Sequence, residues 1–119
     1  MVFHLVLLKP RADLSRDARL ALVSAFERAI REIPTVRRSR VGQRVVHGAG
    51  YEMTAPDAAD FCVTIEFDDV AGLKAYLAHP AHAELGRRFG DALSAALVYD
   101  FEERDLAAIA REASGGATP

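Results

Sequence analysis

Tyr76, His79 and His82 fall within the seven residues YLAHPAH, and His4 stands in an apolar segment near the start of the chain. Histidine exchanges a proton near neutral pH, and a tyrosine hydroxyl can donate to a carbonyl or a developing enolate. In an apolar pocket, desolvation holds an imidazole in its neutral, basic form. Together these groups suit proton abstraction beside a carbonyl. The same side chains could instead satisfy each other, or a backbone carbonyl, at a helix junction. Spacing alone leaves both readings open. A metal site is disfavoured, because Pro80 interrupts the helix between His79 and His82 and no third ligand is fixed by spacing. The chain has no G-x-G-x-x-G, Walker loop, G-x-S-x-G or C-x-x-C.

The elements that must position these residues follow from periodicity. VFHLVLLK, Val2 to Lys9, reads as a strand ending at Pro10, with His4, Val6 and Leu8 on one face and Phe3, Leu5 and Leu7 on the other. A helix follows, capped by Ser15, with an apolar stripe of Leu22, Phe26, Ala29, Ile30 and Ile33, and Pro34 stops it. RSRVGQRVVH reads as a second strand with Gly42 as a bulge or bend. Gly48 to Asp60 is the longest loop. FCVTIEFD is a third strand, with Phe61, Val63, Ile65 and Phe67 on one face.

Asp68 or Asp69 should cap a short helix whose buried side carries Val70, Leu73 and Leu77. Pro80 starts another, expected over PAHAELGRRFGDALSAA, with Leu85, Phe89, Ala92 and Leu93 as its stripe. Tyr76 and His82 share these buried sides, whereas His79 sits at the proline turn and is expected only to cap. LVYDFEE, Leu97 to Glu103, is a fourth strand. The tail is expected to be partly helical through DLAAIAREA and disordered in SGGATP.

This order, β-α-β-β-α-β with the last helix broken, predicts an α+β, ferredoxin-like fold with a four-stranded antiparallel sheet. Helices cover one sheet face only. Since Phe3, Leu5, Leu7, Leu97, Tyr99 and Phe101 leave the other face apolar, a second copy is expected to cover it in a homodimer.

Composition sets further bounds. The chain has 119 residues, 27% of them charged, and a net charge of −2, so there is no basic excess to neutralise phosphates and no nucleic-acid partner is expected. The single cysteine, Cys62, excludes an internal disulfide and reads as a small buried hydrophobe. The N-terminus lacks the basic region and cleavage site of a signal peptide, and no apolar run is long enough for a bilayer. A cytoplasmic location with no membrane partner is therefore expected.

HLVLLK, IPTVRRSRVG and FCVTIEFDDVAGLKAYLAHPAH, in this order, resemble the stress-responsive A/B barrel (Dabb) family. The resemblance spans Val2 to Glu103 and leaves residues 104–119 as a tail. It implies a dimeric α+β barrel. The family includes a plant polyketide cyclase of the olivetolic acid type, which closes its substrate by aldol condensation without a cofactor. On that resemblance His82 would remove a proton beside a carbonyl and Tyr76 would hold the substrate or stabilise the enolate. His4, with the apolar Leu73, Leu85 and Phe89, would line the pocket. No cofactor or metal is implied, and the ligand would be small and hydrophobic or aromatic. The alternatives are a non-enzymatic, stress-related or ligand-binding barrel and, ranked lower, a cofactor-free monooxygenase.

Overall fold

The structure is a computed structural model that describes residues 1–115. Its strands and α-helices are β1 (Val2–Pro10), α1 (Arg16–Glu32), β2 (Arg38–Gln43), β3 (Phe61–Phe67), α2 (Val70–Ala78), α3 (Pro80–Ala92), β4 (Leu93–Glu102) and α4 (Leu106–Gly115), and one turn of 3-10 helix, Gly50–Met53, lies in the long loop before β3. The four strands form one antiparallel sheet in the order β2-β3-β1-β4, so the fold is ferredoxin-like α+β.

The register decides which residues meet the helices. His4 lies opposite Ile65 on β3 and opposite Asp100 on β4, while Val6 lies opposite Val63 and Val98. Val2, His4, Val6 and Leu8 are all buried beneath α1, α2 and α3, as are Val63, Ile65 and Phe67. The opposite face carries Phe3 stacked on Phe101 at 5.5 Å, with Leu5 opposite Tyr99 and Leu7 opposite Leu97. Leu97, Tyr99 and Phe101 are each exposed by two-fifths or more, which leaves an apolar sheet face open in the single chain.

Local signals account for the helix ends. The Ser15 hydroxyl accepts from the Ala18 N–H at 3.1 Å, and the Asp69 carboxylate accepts from the Gly72 N–H at 2.8 Å. Asp68 pairs with Arg37 instead, and that partner holds its carboxyl below the usual range. α1 buries Leu22, Ala25 and Ala29, and Ile33 is buried at its C-cap.

Several sequence expectations are corrected. β2 ends at Gln43 rather than His47, because its partner β3 begins at Phe61 and offers nothing further to pair with. Beyond the Arg44 N–H, which donates to the Asp60 carbonyl at 2.8 Å, Val45 and Val46 are exposed. Gly42 is no bulge: the register runs through it without a shift. A Cβ there would lie 3.1 Å from Cys62 Sγ on the neighbouring strand, so the residue serves close packing. Val70 and Leu77 are exposed by 47% and 40%; the nine-residue α2 turns only Leu73 and Tyr76 fully inward.

α3 stops at Ala92, four residues early. The Ala92 carbonyl accepts from Arg11 N–H at 2.9 Å, and Leu93 to Ala96 pair with the end of β1 across an irregularity at Lys9 and Pro10. Ser114 and Gly115, expected to be disordered, complete α4; the rest of SGGATP, residues 116–119, lies outside the described residues. No described helix is long and apolar enough to cross a membrane.

Candidate active site

The junction between α2 and α3 builds the site. His79 ends the first helix, donating its backbone N–H to the Tyr76 carbonyl at 3.2 Å. It also starts the second: its Nδ1 accepts from the Ala81 N–H at 3.0 Å, and its carbonyl accepts from the His82 N–H at 3.0 Å. Pro80 occupies the first helical position, where a missing N–H costs nothing. His79 thus spends its ring nitrogen on the backbone, in the capping role expected of it.

The turn brings Tyr76 and His82 edge to face, with ring centroids 4.9 Å apart. Tyr76 is 1% exposed, wedged between Phe67 at 5.2 Å and His4 at 5.7 Å. Among the described residues its hydroxyl has no hydrogen-bond partner in the protein, and no fully enclosed side-chain N or O lacks one. The hydroxyl therefore reaches open space. That space is a cavity of about 200 Å³ adjoining His4, Tyr76 and His82, with Leu85, Gly86 and Phe89 of α3 among its walls. Tyr76 and His82 are not sealed against each other.

Electrostatics divides the roles. Burial pushes the Tyr76 hydroxyl up to about 12, so it stays protonated and can only donate. Burial also lowers the His82 pKa; the nearby His4 adds to the effect and the Leu77 backbone opposes it. His82 is therefore neutral at neutral pH and holds a free lone pair. Tyr76 is suited to donate a hydrogen bond and His82 to accept a proton.

His4 has a partner of its own. Its Nδ1 lies 2.6 Å from an Asp100 oxygen, and the two residues face each other directly across β1 and β4. A carboxylate oxygen there can only accept, so the His4 Nδ1–H donates the hydrogen bond. Sequence reasoning missed Asp100. The available signal was a lone charge between Tyr99 and Phe101, at a strand position that alternation places on the helix side.

Of the residues expected to line the pocket, the structure brings His4, Leu85 and Phe89 to the cavity. Leu73 does not reach it and belongs to the core instead. Phe26 of α1, Val98 of β4, Leu77 and Gly86 line it without having been expected to. Phe26 packs on Phe89 at 5.5 Å and closes the wall between α1 and α3. No group of three or more His, Cys, Asp or Glu among the described residues is placed to hold a metal.

The fold recurs in solved structures. The hydroxynitrile lyase of Passiflora edulis superposes with a TM-score of 0.73 at 15% identity, over 87% of this chain and 94% of that one. A dimeric ferredoxin-like protein of unknown function from Jannaschia sp. CCS1 gives 0.68 at 24% identity, over 86% and 98%. A Dabb family protein with a ferredoxin-like fold from Mesorhizobium loti gives 0.67 at 21%, over 87% and 97%. At such identities the likeness is one of fold. No curated protein matches the chain. The model of the stress responsive A/B barrel domain, Dabb, matches residues 2–103, nearly the whole described structure, and so the chain belongs to the stress-responsive A/B barrel family.

Proposed function

We propose that the protein is a homodimeric, cofactor-independent enzyme of the polyketide-cyclase type that moves a proton beside a carbonyl in a compact, largely apolar substrate. The observation that carries this reading is the single cavity shared by a neutral His82, a protonated Tyr76 and a carboxylate-bound His4. His82 removes a proton from the carbon beside a carbonyl, and the Tyr76 hydroxyl donates to the enolate oxygen that forms. The enolate carbon then attacks a second carbonyl carbon of the same molecule, making the new C–C bond. The proton on His82 returns to the resulting alkoxide. His4, held by Asp100, fixes the remaining polar wall.

The volume narrows the substrate class. About 200 Å³ lies below the usual range of drug-sized pockets and suits one ring or a short chain. That a lyase occurs on a similar fold in Passiflora edulis supports an enzymatic role at the level of fold. The homodimer is supported by the dimeric Jannaschia relative and by the open apolar sheet face.

The test needs no knowledge of the natural substrate. Acetophenone in heavy water loses its methyl proton signal as α-protons exchange, and the protein should accelerate that loss. His82→Gln should abolish the acceleration, and Tyr76→Phe should reduce it at least tenfold. Binding of acetophenone by a folded protein with no accelerated exchange would instead favour the second reading, a barrel that holds a small hydrophobic ligand without turning it over.

A further inference from the structure

α4 (Leu106–Gly115) buries none of its residues. Leu106, Ile109, Ala110 and Ala113 nevertheless fall at the i, i+3, i+4, i+7 spacing of a stripe built for burial. Leu106 is 72% exposed and Ile109 is 48% exposed. The family match ends at residue 103, and the Jannaschia protein aligns over 98% of its own length but only 86% of this chain. The helix is therefore an addition to the shared fold. With a radius of gyration of 17.1 Å, against about 13.5 Å for a compact chain of this length, the molecule is extended.

A groove of matching chemistry exists elsewhere on the chain. Between α1 and the helix side of β2 and β3 lies an apolar groove of about 350 Å³, lined by Leu14, Val23, Phe26, Ile30, Val41 and Phe61 among others. Val41 is 69% exposed there, because no helix of its own chain covers β2.

The chain's own α4 cannot fill this groove. Only Glu103, Arg104 and Asp105 join β4 to α4, a reach of at most about 14 Å. Glu102 lies opposite Val2, whereas Val41 lies opposite Val63, which faces Val6. Three strand spacings and four residues of strand separate the two points, about 20 Å in a straight line, and α1 and α3 share the core on that face with the strands.

A second copy removes the obstacle. β2 and β4 are the outer strands of the sheet. A two-fold axis parallel to the strands, relating two stacked open faces, brings β4 of one copy beside β2 of the other and keeps strand directions unchanged. β4 then ends over Arg38 at the start of the partner's β2; three residues along the strand and one sheet-to-sheet spacing put it about 14 Å from Val41, within the reach of the linker. We infer that α4 is an exchanged arm, whose Leu106 and Ile109 face occupies the groove between α1 and β2 of the second copy. The inference rests on the homodimer proposed above.

Site-directed cross-linking tests it in the full-length chain. In a Cys62→Ser background, Val41→Cys chains are mixed with larger, tagged Ile109→Cys chains and mildly oxidised. The expected product is a disulfide-linked pair of unequal chains. A Lys74→Cys chain, with its thiol on the exposed side of α2, should give at least tenfold less. A dimer by sedimentation that links Ile109→Cys no better to Val41→Cys than to Lys74→Cys would overturn the arm and leave the homodimer standing. A monomer at all concentrations would overturn both. Leu106→Asp with Ile109→Asp, which touches only an exposed helix, should weaken dimerisation at least tenfold; unchanged dimerisation would also count against the arm.

Discussion

Two glycines of α3 can separate stability from pocket geometry. Gly86 and Gly90 are both exposed, and a Cβ at either would meet nothing within 4 Å. Alanine should therefore stabilise both positions by restricting the unfolded chain. The gain is about 1 kcal/mol at Gly86, in mid-helix, and somewhat less at Gly90, near the end of α3. For a domain of this size that is a rise in Tm of roughly 4 °C or slightly less. Only Gly86 borders the cavity. An added methyl, near the size of a water molecule, takes roughly 30 Å³ from a space of about 200 Å³. A ring that fills the space is then overpacked by about 1 kcal/mol or more, which is at least fivefold in affinity. Phenol is a suitable probe, titrated calorimetrically against the parent and both variants. Gly86→Ala should melt higher and bind phenol more weakly, while Gly90→Ala should melt higher and bind it unchanged. Equal phenol affinity in the two variants would refute the placement of the ligand. No rise in Tm in either would mean that the space outside α3 is filled in solution.

Further outcomes follow from the titrating groups and the open face. In an alkaline titration followed by phenolate absorbance, the step near pH 12 should belong to Tyr76 and be missing in Tyr76→Phe. Because burial raises its folded pKa above the ordinary 10.0, that contribution to stability is whole below pH 10 and fades as pH rises towards 12. His82 runs the other way. Its folded pKa is lowered from 6.5, so its contribution is whole above pH 6.5 and declines as the unfolded chain takes up the proton first. Urea midpoints should fall more steeply below pH 6.5 in the parent than in His82→Gln, and parallel curves would contradict the assignment. Asp100→Asn removes the negative partner of the His4 ring and should lower any turnover at least tenfold while thermal unfolding shows the fold intact. Tyr99→Glu, in the middle of the open face, should weaken dimerisation at least tenfold in sedimentation, with the single chain still folded.

Much of this molecule is legible in residue types alone. Alternation in VFHLVLLK placed His4 with Val6 and Leu8, and their burial beneath the helices follows from that periodicity. Ser15, the Asp68–Asp69 pair and Pro80 marked helix starts because caps act over three residues and need no tertiary context, and of the pair it is Asp69 that caps. What escaped depends on pairing between distant segments. β2 ends where β3 runs out, α3 yields to β4 where Pro10 offers a partner, and Asp100 gains meaning only through its register against His4. Leu73 and Leu77 show the same limit within one helix. Both are apolar on a short segment, yet the packing of α2 sends the first into the core and the second to the cavity rim.

The break at His79 and Pro80 has a consequence for how such a site persists. In an unbroken helix, residues six apart point about 120° away from each other and stand about 9 Å apart along the axis. Tyr76 and His82 would then serve different surfaces. The elbow turns one helix back on the other and makes neighbours of their rings. The Tyr76–His82 pair is thus specified by one short run of chain, with its closure cost met locally rather than by long-range packing. Strands and outer walls can be remodelled for a different ligand while the pair keeps its spacing. A single inserted or deleted residue in the elbow would separate the two rings even if every other contact in the fold survived.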